Sequence, residues 1–389
     1  MSGHNNGMTD SQQPADSDTD LRWMKRALRL AALGVESAPN PMVGCVLVDK
    51  HGSKVGEGYH VRPGENHAEA NALIAAGPSA KDCTAYVTLE PCTHYGRTPP
   101  CADALIAAGV ARVVVAMVDP DPRVSGCGIK RLRAAGVAVE VGLCDSDASR
   151  LNRAFIHHRT TGLPWVTFKT AITLDGRTAT ASGDSRWITS AVTRLWVHRR
   201  LRARIPAIMV GIGTVLADDP ALTVRLPHRP HTRNPMRIIV DSHLRTPISA
   251  RAVAQGALDQ KTLIAHVDDP HGRSESLKRA GAVLLRLGAD EAGRVDLDAL
   301  VAHIGSELAL TGVLVEGGAE LAAGLMAARL VDECFVSIAP KIVGGTQSLG
   351  PVGGSGLASS MSEAVQFAGF TVRRSGPDAV LRCDMARMV

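Results

Sequence analysis

The alternation of apolar and polar positions over the first 160 residues predicts a layered α/β domain. Apolar residues at helical spacing follow Asp20, which we interpret as an N-cap, and predict an amphipathic helix through Ala31. Apolar runs predict strands at 42–48, 55–59, 84–89, 112–118 and 137–141, and further segments predict helices at 67–76, 101–108 and 129–135. Two strands followed by alternating helices and strands indicate a sheet with helices on both faces.

The pattern restarts after the turn-forming run 160–164, which we interpret as a domain boundary. The sequence therefore predicts a polar disordered tail at 1–20 and domains at 21–163 and 164–389. In the second domain we expect strands at 165–172, 207–210, 237–240, 262–267 and 313–316, with helices at 193–204, 297–308 and 319–328. Strand patterns at 333–338, 365–373 and 380–383 predict an antiparallel end to a second α/β domain.

Composition and charge exclude several classes of protein. The chain has 389 residues, 45% of them hydrophobic, and a net charge of only +5 from scattered basic residues, so we expect no nucleic-acid partner. No apolar run reaches the roughly 18 residues that span a bilayer, and the tail lacks the basic and apolar regions of a secretory signal. Eight cysteines without a regular framework indicate the reducing cytoplasm.

Two short runs point to a metal site in the first domain. His67 and Glu69 begin a predicted helix, Cys92 follows a predicted strand, and Cys101 begins another helix, so these residues meet at one edge of the sheet. One histidine and two cysteines suit a catalytic Zn²⁺ with an open fourth position for water, and Glu69 is placed to move that water's protons. The alternative is a closed structural site with His60 or His94 as the fourth ligand, which has no use for Glu69.

The order H-x-E…P-C is the signature of the zinc nucleobase deaminases, although eight residues separate Cys92 from Cys101 where that signature has two. The runs NPMVG (40–44), GYH (58–60), HAE (67–69), PCTHYGRTPPC (91–101) and DPDP (119–122) resemble the deaminase of riboflavin biosynthesis. The resemblance implies a cytidine-deaminase-like three-layer α/β/α fold. It also implies a pyrimidine and ribose-phosphate pocket lined by Asn40, His60, His94, Arg97, Thr98, Asp119 and Asp121.

This pocket assignment has a structural alternative. Read alone, Asn40, Asp119 and Asp121 are also typical turn residues, since each precedes a proline. Two positions depart from the commoner family pattern: Asp121 stands where many members have Asn, and Cys127 where Lys or Arg is usual.

The second domain lacks a G-x-G-x-x-G after its first strand, so a Rossmann dinucleotide site is not predicted. The runs KTAITLDGR (169–177), GDSRWI (183–188), GTVLADDP (213–220) and VEGG (315–318) resemble the reductase of the riboflavin pathway, which has a dihydrofolate-reductase-like fold. The resemblance implies NADPH as cofactor, bound by Ala171, Thr178, Trp187, Thr214, Asp218, Ser242, Gly318, Ala319, Glu320, Leu321, Ala322, Ala323 and Gly324. It makes Lys169 catalytic and places Ser185, Arg202, Leu222, Arg225 and Glu316 at the substrate.

Simple physical chemistry agrees with these roles and leaves alternatives open. Lys169 and Glu316 end apolar strands, where a charge is costly unless it is paired or used. Arg202 and Arg225 offer forked donors that suit a phosphate, but a helix rich in arginine is also a common solvated face, and Gly317-Gly318 is also an ordinary turn.

The leading hypothesis is a bifunctional enzyme that deaminates an aminopyrimidine ribosylamino phosphate and reduces its ribosyl side chain with NADPH. A tRNA-editing deaminase would need a basic groove and a C-x-x-C pair, neither of which the sequence contains. A zinc or nucleotide sensor without activity would have no need to retain Glu69. We expect small-molecule substrates, no membrane partner, and a homo-oligomer.

Overall fold

The computed structural model describes residues 17–95, 99–122, 124–227 and 233–385. The chain forms two compact units, one through Asn152 and one from Arg153 onward. The second unit thus begins before the predicted boundary after Leu163, because the helix Arg153–Thr161 packs on the first strand of that unit. Residues 1–16 of the predicted tail lie outside the described residues.

The first helix, α1 (Ser17–Ala31), begins before the position that the sequence predicts. Asp20 lies inside this helix, so its prediction as an N-cap is wrong. Its carboxylate accepts hydrogen bonds from the Tyr86 hydroxyl at 2.6 Å and from the Arg112 guanidinium at 2.9 and 2.6 Å. The side chain therefore serves a tertiary ion pair rather than the helix end.

The first unit is built on a five-stranded mixed sheet. In chain order its remaining elements are β1 (Gly44–Val48), β2 (Lys54–Tyr59), α2 (Ala68–Ala76), β3 (Thr84–Val87), α3 (Cys101–Ala107), β4 (Arg112–Val115), α4 (Cys127–Ala134), β5 (Ala138–Val141) and α5 (Asp145–Leu151). The strand order is β2-β1-β3-β4-β5, with β1 antiparallel to both neighbours and β3, β4 and β5 parallel. The predicted order of strands and helices is confirmed, and the described residues add α5 and a short 3-10 helix (Gly77–Ala80).

The second unit is built on a nine-stranded sheet. Its elements are α6 (Arg153–Thr161), β6 (Trp165–Thr173), α7 (Ala191–Val197), a turn of π-helix (His198–Arg202), β7 (Ala207–Gly211), α8 (Ile212–Asp218), β8 (Met236–Val240), α9 (Arg251–Asp259), β9 (Thr262–His266), α10 (Ser274–Arg279), β10 (Ala282–Arg286), α11 (Leu297–Ser306), β11 (Gly312–Glu316), α12 (Ala319–Ala327), β12 (Glu333–Ala339), β13 (Phe367–Ser375) and β14 (Asp378–Met385). The strand order is β10-β9-β8-β7-β11-β6-β12-β14-β13. The expected antiparallel end is confirmed, since β14 runs antiparallel to β12 and β13.

The parallel part of this sheet is covered on both faces. Alternate residues of β7 divide between two apolar cores: Met209 packs with Val315 and Leu325, whereas Ile208 packs with Ile239 and Ile264. Burial on both faces explains why these strands read as continuous apolar runs. None of the helices in the described part of the chain has the length and apolar composition needed to cross a membrane.

The position of β11 creates a switch point in the strand order, where a ligand crevice is expected at one end of this sheet. From β6 the chain adds β7, β8, β9 and β10 towards one edge, then returns to insert β11 between β7 and β6 and continues to β12 on the other side. Where the direction of strand addition reverses, the carboxyl ends of parallel strands leave room for a ligand. Glu316 and Gly317 lie at this point.

Candidate active sites

Three predicted metal ligands converge in the first unit. His67 directly precedes α2, Cys101 is the first residue of α3, and Cys92 lies in the loop after β3. Their donor atoms all lie within 4.8 Å of one another, with His67 Nδ1 at 3.6 Å from Cys92 Sγ and 3.3 Å from Cys101 Sγ. One imidazole nitrogen and two thiol sulfurs at this spacing fit a tetrahedral Zn²⁺ that keeps one position open.

Glu69 lies beside these ligands and is almost fully buried, with 3% of its surface exposed. Burial, reinforced by the charge of Cys92, raises the pKa of Glu69 to about 7. Hydrogen bonds from Cys101 and His67 lower the pKa of Cys92 to about 4, so its thiolate, the form that binds metal, is favoured. A carboxyl group that titrates near neutral pH is suited to accept and return protons.

Two predicted pocket residues lie next to the metal ligands. Asn40 Nδ2 is 3.1 Å from His60 Nε2, and the other ring nitrogen of His60 is 3.1 Å from the carbonyl oxygen of Asn66. The ring of His60 meets the ring of His67 edge to face at 5.4 Å. Burial lowers the pKa of His60, so a neutral ring links Asn40 to the metal site.

The other predicted pocket residues lie in different parts of the first unit, and two of them are not described by the structure. Asp119 and Asp121 follow β4, where the Asp121 N–H donates to Asp119 Oδ1 at 2.9 Å. His94 is exposed, and the predicted pocket residues Arg97 and Thr98 lie outside the described residues. Sequence reasoning missed Glu90, a buried carboxylate that precedes Pro91 and contacts the segment after β4.

The second unit brings together Lys169, Glu316 and Arg202 at the crevice beside β11. Lys169 and Glu316 are register partners on β6 and β11. Arg202 donates to both oxygens of Glu316, from Nε at 2.8 Å and Nη2 at 2.7 Å, and its Nη1 donates to the Thr223 carbonyl at 3.1 Å. Burial lowers the pKa of Lys169. Burial alone would raise the pKa of Glu316, but Arg202 and Lys169 together outweigh it and hold this pKa at about 2.

These contacts affect the predicted phosphate-binding arginines differently. Arg202 donates through all three nitrogens of its guanidinium to partners within the protein, and its assignment to phosphate stays a prediction. Arg225 has no carboxylate within ion-pair distance among the described residues. Its backbone N–H lies 3.1 Å from His198 Nδ1, and its Nη2 lies 3.3 Å from His198 Nε2.

His198 is a residue that sequence reasoning missed. Burial, together with the charges of Arg202 and Arg225, lowers its pKa to about 4, so the ring is neutral at physiological pH. A neutral ring has only one acceptor nitrogen and cannot accept from both donors of Arg225. The Arg225 guanidinium therefore retains capacity for an anion. Of the other predicted substrate residues, Ser185 is half-buried, and the side chain of Leu222 belongs to the apolar core, which leaves only its main chain for a ligand.

A cradle for a pyrophosphate lies where β11 meets α12. Gly317 and Gly318 have positive φ values of 74° and 81°, and a Cβ at Gly317 would lie 3.1 Å from Thr214 Oγ1. The N–H groups in the first turn of α12 have no partner within the helix, and such groups suit the pyrophosphate of a dinucleotide. Ala322 N already donates to Gly318 O at 3.0 Å, so the free donors of the predicted 318–324 segment are confined to its first turn.

The remaining predicted cofactor residues surround the carboxyl ends of the strands. Ser242 follows β8, and its Oγ accepts from Val295 N at 3.1 Å. Asp218 accepts from Arg186, and Trp187 is exposed with Arg194 over its ring at 4.4 Å. The Thr178 hydroxyl donates to the carbonyl oxygens of Leu349 and Gly350. The Glu320 carboxylate accepts from Gly354 N, and Ala171 pairs with Ser337 between β6 and β12.

Comparison with known proteins matches a different family to each part of the chain. The family described as cytidine and deoxycytidylate deaminase zinc-binding region matches residues 17–117, and the RibD C-terminal domain matches residues 164–381. The riboflavin biosynthesis protein RibD of Escherichia coli K12 is 45% identical over 373 residues, which cover 93% of this chain and 98% of that protein.

Two solved structures extend the similarity to the whole fold. Acinetobacter baumannii RibD is 36% identical with a TM-score of 0.85, covering 96% of this chain and 100% of that one. A diaminohydroxyphosphoribosylaminopyrimidine deaminase/5-amino-6-(5-phosphoribosylamino)uracil reductase from Thermotoga maritima is 31% identical with a TM-score of 0.81, covering 95% of this chain and 99% of that one.

The fold and the two sites define a zinc-dependent deaminase joined in one chain to an NADPH-dependent reductase. The chain belongs to the family of the riboflavin biosynthesis protein RibD.

Proposed function

We propose that this chain catalyses two consecutive steps of riboflavin biosynthesis. The first unit removes the 2-amino group of 2,5-diamino-6-(5-phosphoribosylamino)pyrimidin-4(3H)-one by hydrolysis. The second reduces the ribosyl side chain with NADPH to give 5-amino-6-(5-phosphoribitylamino)uracil. One observation carries the proposal: a single chain contains both sites. The first site is the His67–Cys92–Cys101 triad with the buried Glu69. The second is the Lys169–Glu316–Arg202 cluster beside the glycine pair that suits a dinucleotide.

In the deaminase site the chain supplies orientation and proton transfer. A zinc ion bound there would lower the pKa of a coordinated water and make it a nucleophile at neutral pH. Glu69 accepts a proton from the attacking water and returns protons to the ring nitrogen and the departing ammonia. The neutral His60 and Asn40, held together at 3.1 Å, offer hydrogen bonds to the pyrimidine, and Asp119 and Asp121 bind the ribosyl side of the substrate.

In the reductase site the chain holds the sugar for hydride transfer from NADPH. Lys169 donates hydrogen bonds to the reacting sugar, and its lowered pKa makes it a ready proton donor as the ring opens. Glu316 accepts from a sugar hydroxyl, while Arg202 keeps that carboxylate charged and oriented. Arg225 binds the phosphate, since its guanidinium faces a neutral histidine rather than a carboxylate.

The test separates the two reactions. Metal-replete protein is given the diaminopyrimidine substrate, and ammonia release and NADPH oxidation are followed independently. We expect ammonia release without NADPH, and NADPH oxidation once the deaminated compound is present. Chelation of the metal should abolish the first reaction and leave the second intact on deaminated substrate. Failure of the metal-replete protein to release ammonia would refute the proposal for the first unit.

Two further expectations accompany the proposed function. We place the enzyme in the cytoplasm, where its small-molecule substrates and NADPH are found. A homo-oligomer also stays a prediction, which light scattering of the purified chain would test.

A further inference from the structure

The buried carboxylate of Glu90 connects the loop that carries the metal ligand Cys92 to the stretch of chain after β4. Glu90 directly precedes Pro91 and the metal ligand Cys92, and only 3% of its surface is exposed. Its Oε1 accepts from the N–H groups of Gly128 at 2.8 Å and Ile129 at 3.2 Å. Its Oε2 accepts from the N–H groups of Asp119 at 3.1 Å and Gly126 at 2.9 Å. One side chain therefore satisfies four backbone donors.

All four donors belong to one stretch of chain after β4, which we call the 119–129 segment. Within it, Asp121 N donates to Asp119 Oδ1 at 2.9 Å, so fixing Asp119 also fixes Asp121. The Asp121 carbonyl in turn accepts from Val124 N and Ser125 N at 2.9 Å each. The hydrogen bonds to Glu90 thus fix the described residues of this segment at both ends, and with them the backbone that carries both predicted substrate carboxylates.

The close packing of Gly128 against Pro91 independently indicates that the start of α4 is held in a fixed place. A Cβ at Gly128 would lie 2.0 Å from the carbonyl oxygen of Pro91 and 3.2 Å from Glu90 Cγ. The backbone at the start of α4 therefore rests directly on the residues that lead to Cys92. Only glycine permits this contact, and it brings the amides of Gly128 and Ile129 within reach of Glu90.

We propose that Glu90 is a positioning residue of the deaminase, whose carboxylate holds the 119–129 segment at a fixed place relative to the metal-ligand loop. The inference rests on the proposed function, because it takes Asp119 and Asp121 as substrate-binding groups. Glu90 itself need not touch the substrate. Its effect is to place the ribosyl-binding side of the substrate pocket at a fixed distance from the His67–Cys92–Cys101 triad.

The perturbation that tests this role is Glu90→Gln. The glutamine amide keeps the shape of the side chain and one accepting oxygen, but its NH₂ group would face two N–H donors. Hydrogen bonds to a charged acceptor are stronger than those to a neutral one. Misplacing a binding group by about 1 Å can lower catalytic efficiency by up to about a hundredfold. We expect the KM for deamination to rise about tenfold or more, with kcat changed less than about threefold and zinc content kept at one per chain.

A second measurement does not depend on the reaction. Hydrogen exchange of the metal-loaded full chain, read by mass spectrometry, should show faster exchange in peptides that cover 117–130, by about tenfold or more. Reduction of the deaminated substrate should be unchanged. Glu140→Gln is the matched control, since this glutamate of the same unit is 57% exposed and its substitution should alter neither KM nor exchange at 117–130.

If Glu90→Gln does not fold, Glu90→Asp retains the charge while shortening the reach, and the same KM rise with retained kcat is expected. Unchanged exchange at 117–130 would overturn the inference whatever the activity. Loss of zinc with an unaltered segment would also overturn it, because Glu90 would then serve the metal loop alone. If the wild-type protein released no ammonia, the proposed function would fail, while the exchange experiment would still judge whether Glu90 holds the segment.

Discussion

Arg202→Met should destabilise the second unit by several kcal/mol, because it leaves the buried carboxylate of Glu316 without its main partner. The Arg202 and Glu316 side chains are only 13% and 12% exposed and form two hydrogen bonds of 2.8 and 2.7 Å. Removing one member of such a pair typically costs about 3–5 kcal/mol. The pKa of Glu316 gives a compatible magnitude. Lowering this pKa from 4.5 to about 2 on folding corresponds to about 3 kcal/mol of folding stability at neutral pH. Part of this stabilisation comes from Lys169.

Denaturant unfolding followed by tryptophan fluorescence suits this test. Three of the four tryptophans, Trp165, Trp187 and Trp196, lie in the second unit, so the signal reports mainly on that unit. Arg199→Met is the matched control, because Arg199 lies in the same turn of π-helix but is exposed. Equal stability of the two variants would refute the reasoning.

The pH dependence gives a second check on the same pair. Because the pKa of Glu316 is lowered by folding, the stabilisation is present at neutral pH, declines as pH falls below about 4.5, and is lost through pH 2. The stability gap between wild type and Arg202→Met should therefore narrow between pH 4.5 and 2.

Three further variants test the site assignments. Cys92→Ala combined with Cys101→Ala should remove zinc, and normal zinc content by metal analysis would contradict the ligand assignment. Glu69→Gln should keep zinc but lower the rate of ammonia release by about 10²–10⁴-fold, because an amide cannot relay protons, while reduction of deaminated substrate continues; near-normal ammonia release would rule out this role. Arg225→Ala should weaken binding of the reductase substrate by roughly ten- to a hundredfold through a lost phosphate contact, with NADPH affinity unchanged by titration. Unaltered substrate affinity would make Arg225 an ordinary surface charge.

The elements that the sequence predicts correctly are those whose apolar periodicity is strong or continuous. The parallel strands β7, β8 and β9 are buried on both faces and stand out as apolar runs. The sequence pattern did not predict α5, α6, α8, α9, α10 or β10. Of these, α5 and α6 have largely polar sequences, DSDASRL and RAFIHHRTT, and bury few side chains. Weak local patterning of this kind also explains why the second unit begins earlier than the predicted boundary.

The metal site was predictable because its chemistry is local. His67 and Glu69 are separated by one residue at the start of one helix, and the residue types alone indicate zinc. Glu90 carries no such signal, since its four partners lie 29 to 39 positions further along the chain. A glutamate before a proline reads as an ordinary polar residue at the end of a strand until the 119–129 segment is seen to fold back upon it.

The contacts of the reductase cluster also could not be predicted from the sequence, because its residues lie even further apart along the chain. Lys169 and Glu316 become neighbours only because β11 is inserted between β7 and β6 in parallel register. The sequence could identify each as a charge at the end of an apolar strand, but not that the two face one site, nor that the Arg202 fork is taken up by Glu316. Arg202 and Lys169 outweigh burial and hold the pKa of Glu316 at about 2, so this carboxylate stays ionised at neutral pH. The contact of Arg202 with Glu316 thus depends on the order of strands in the sheet, and no local motif in the sequence indicates it.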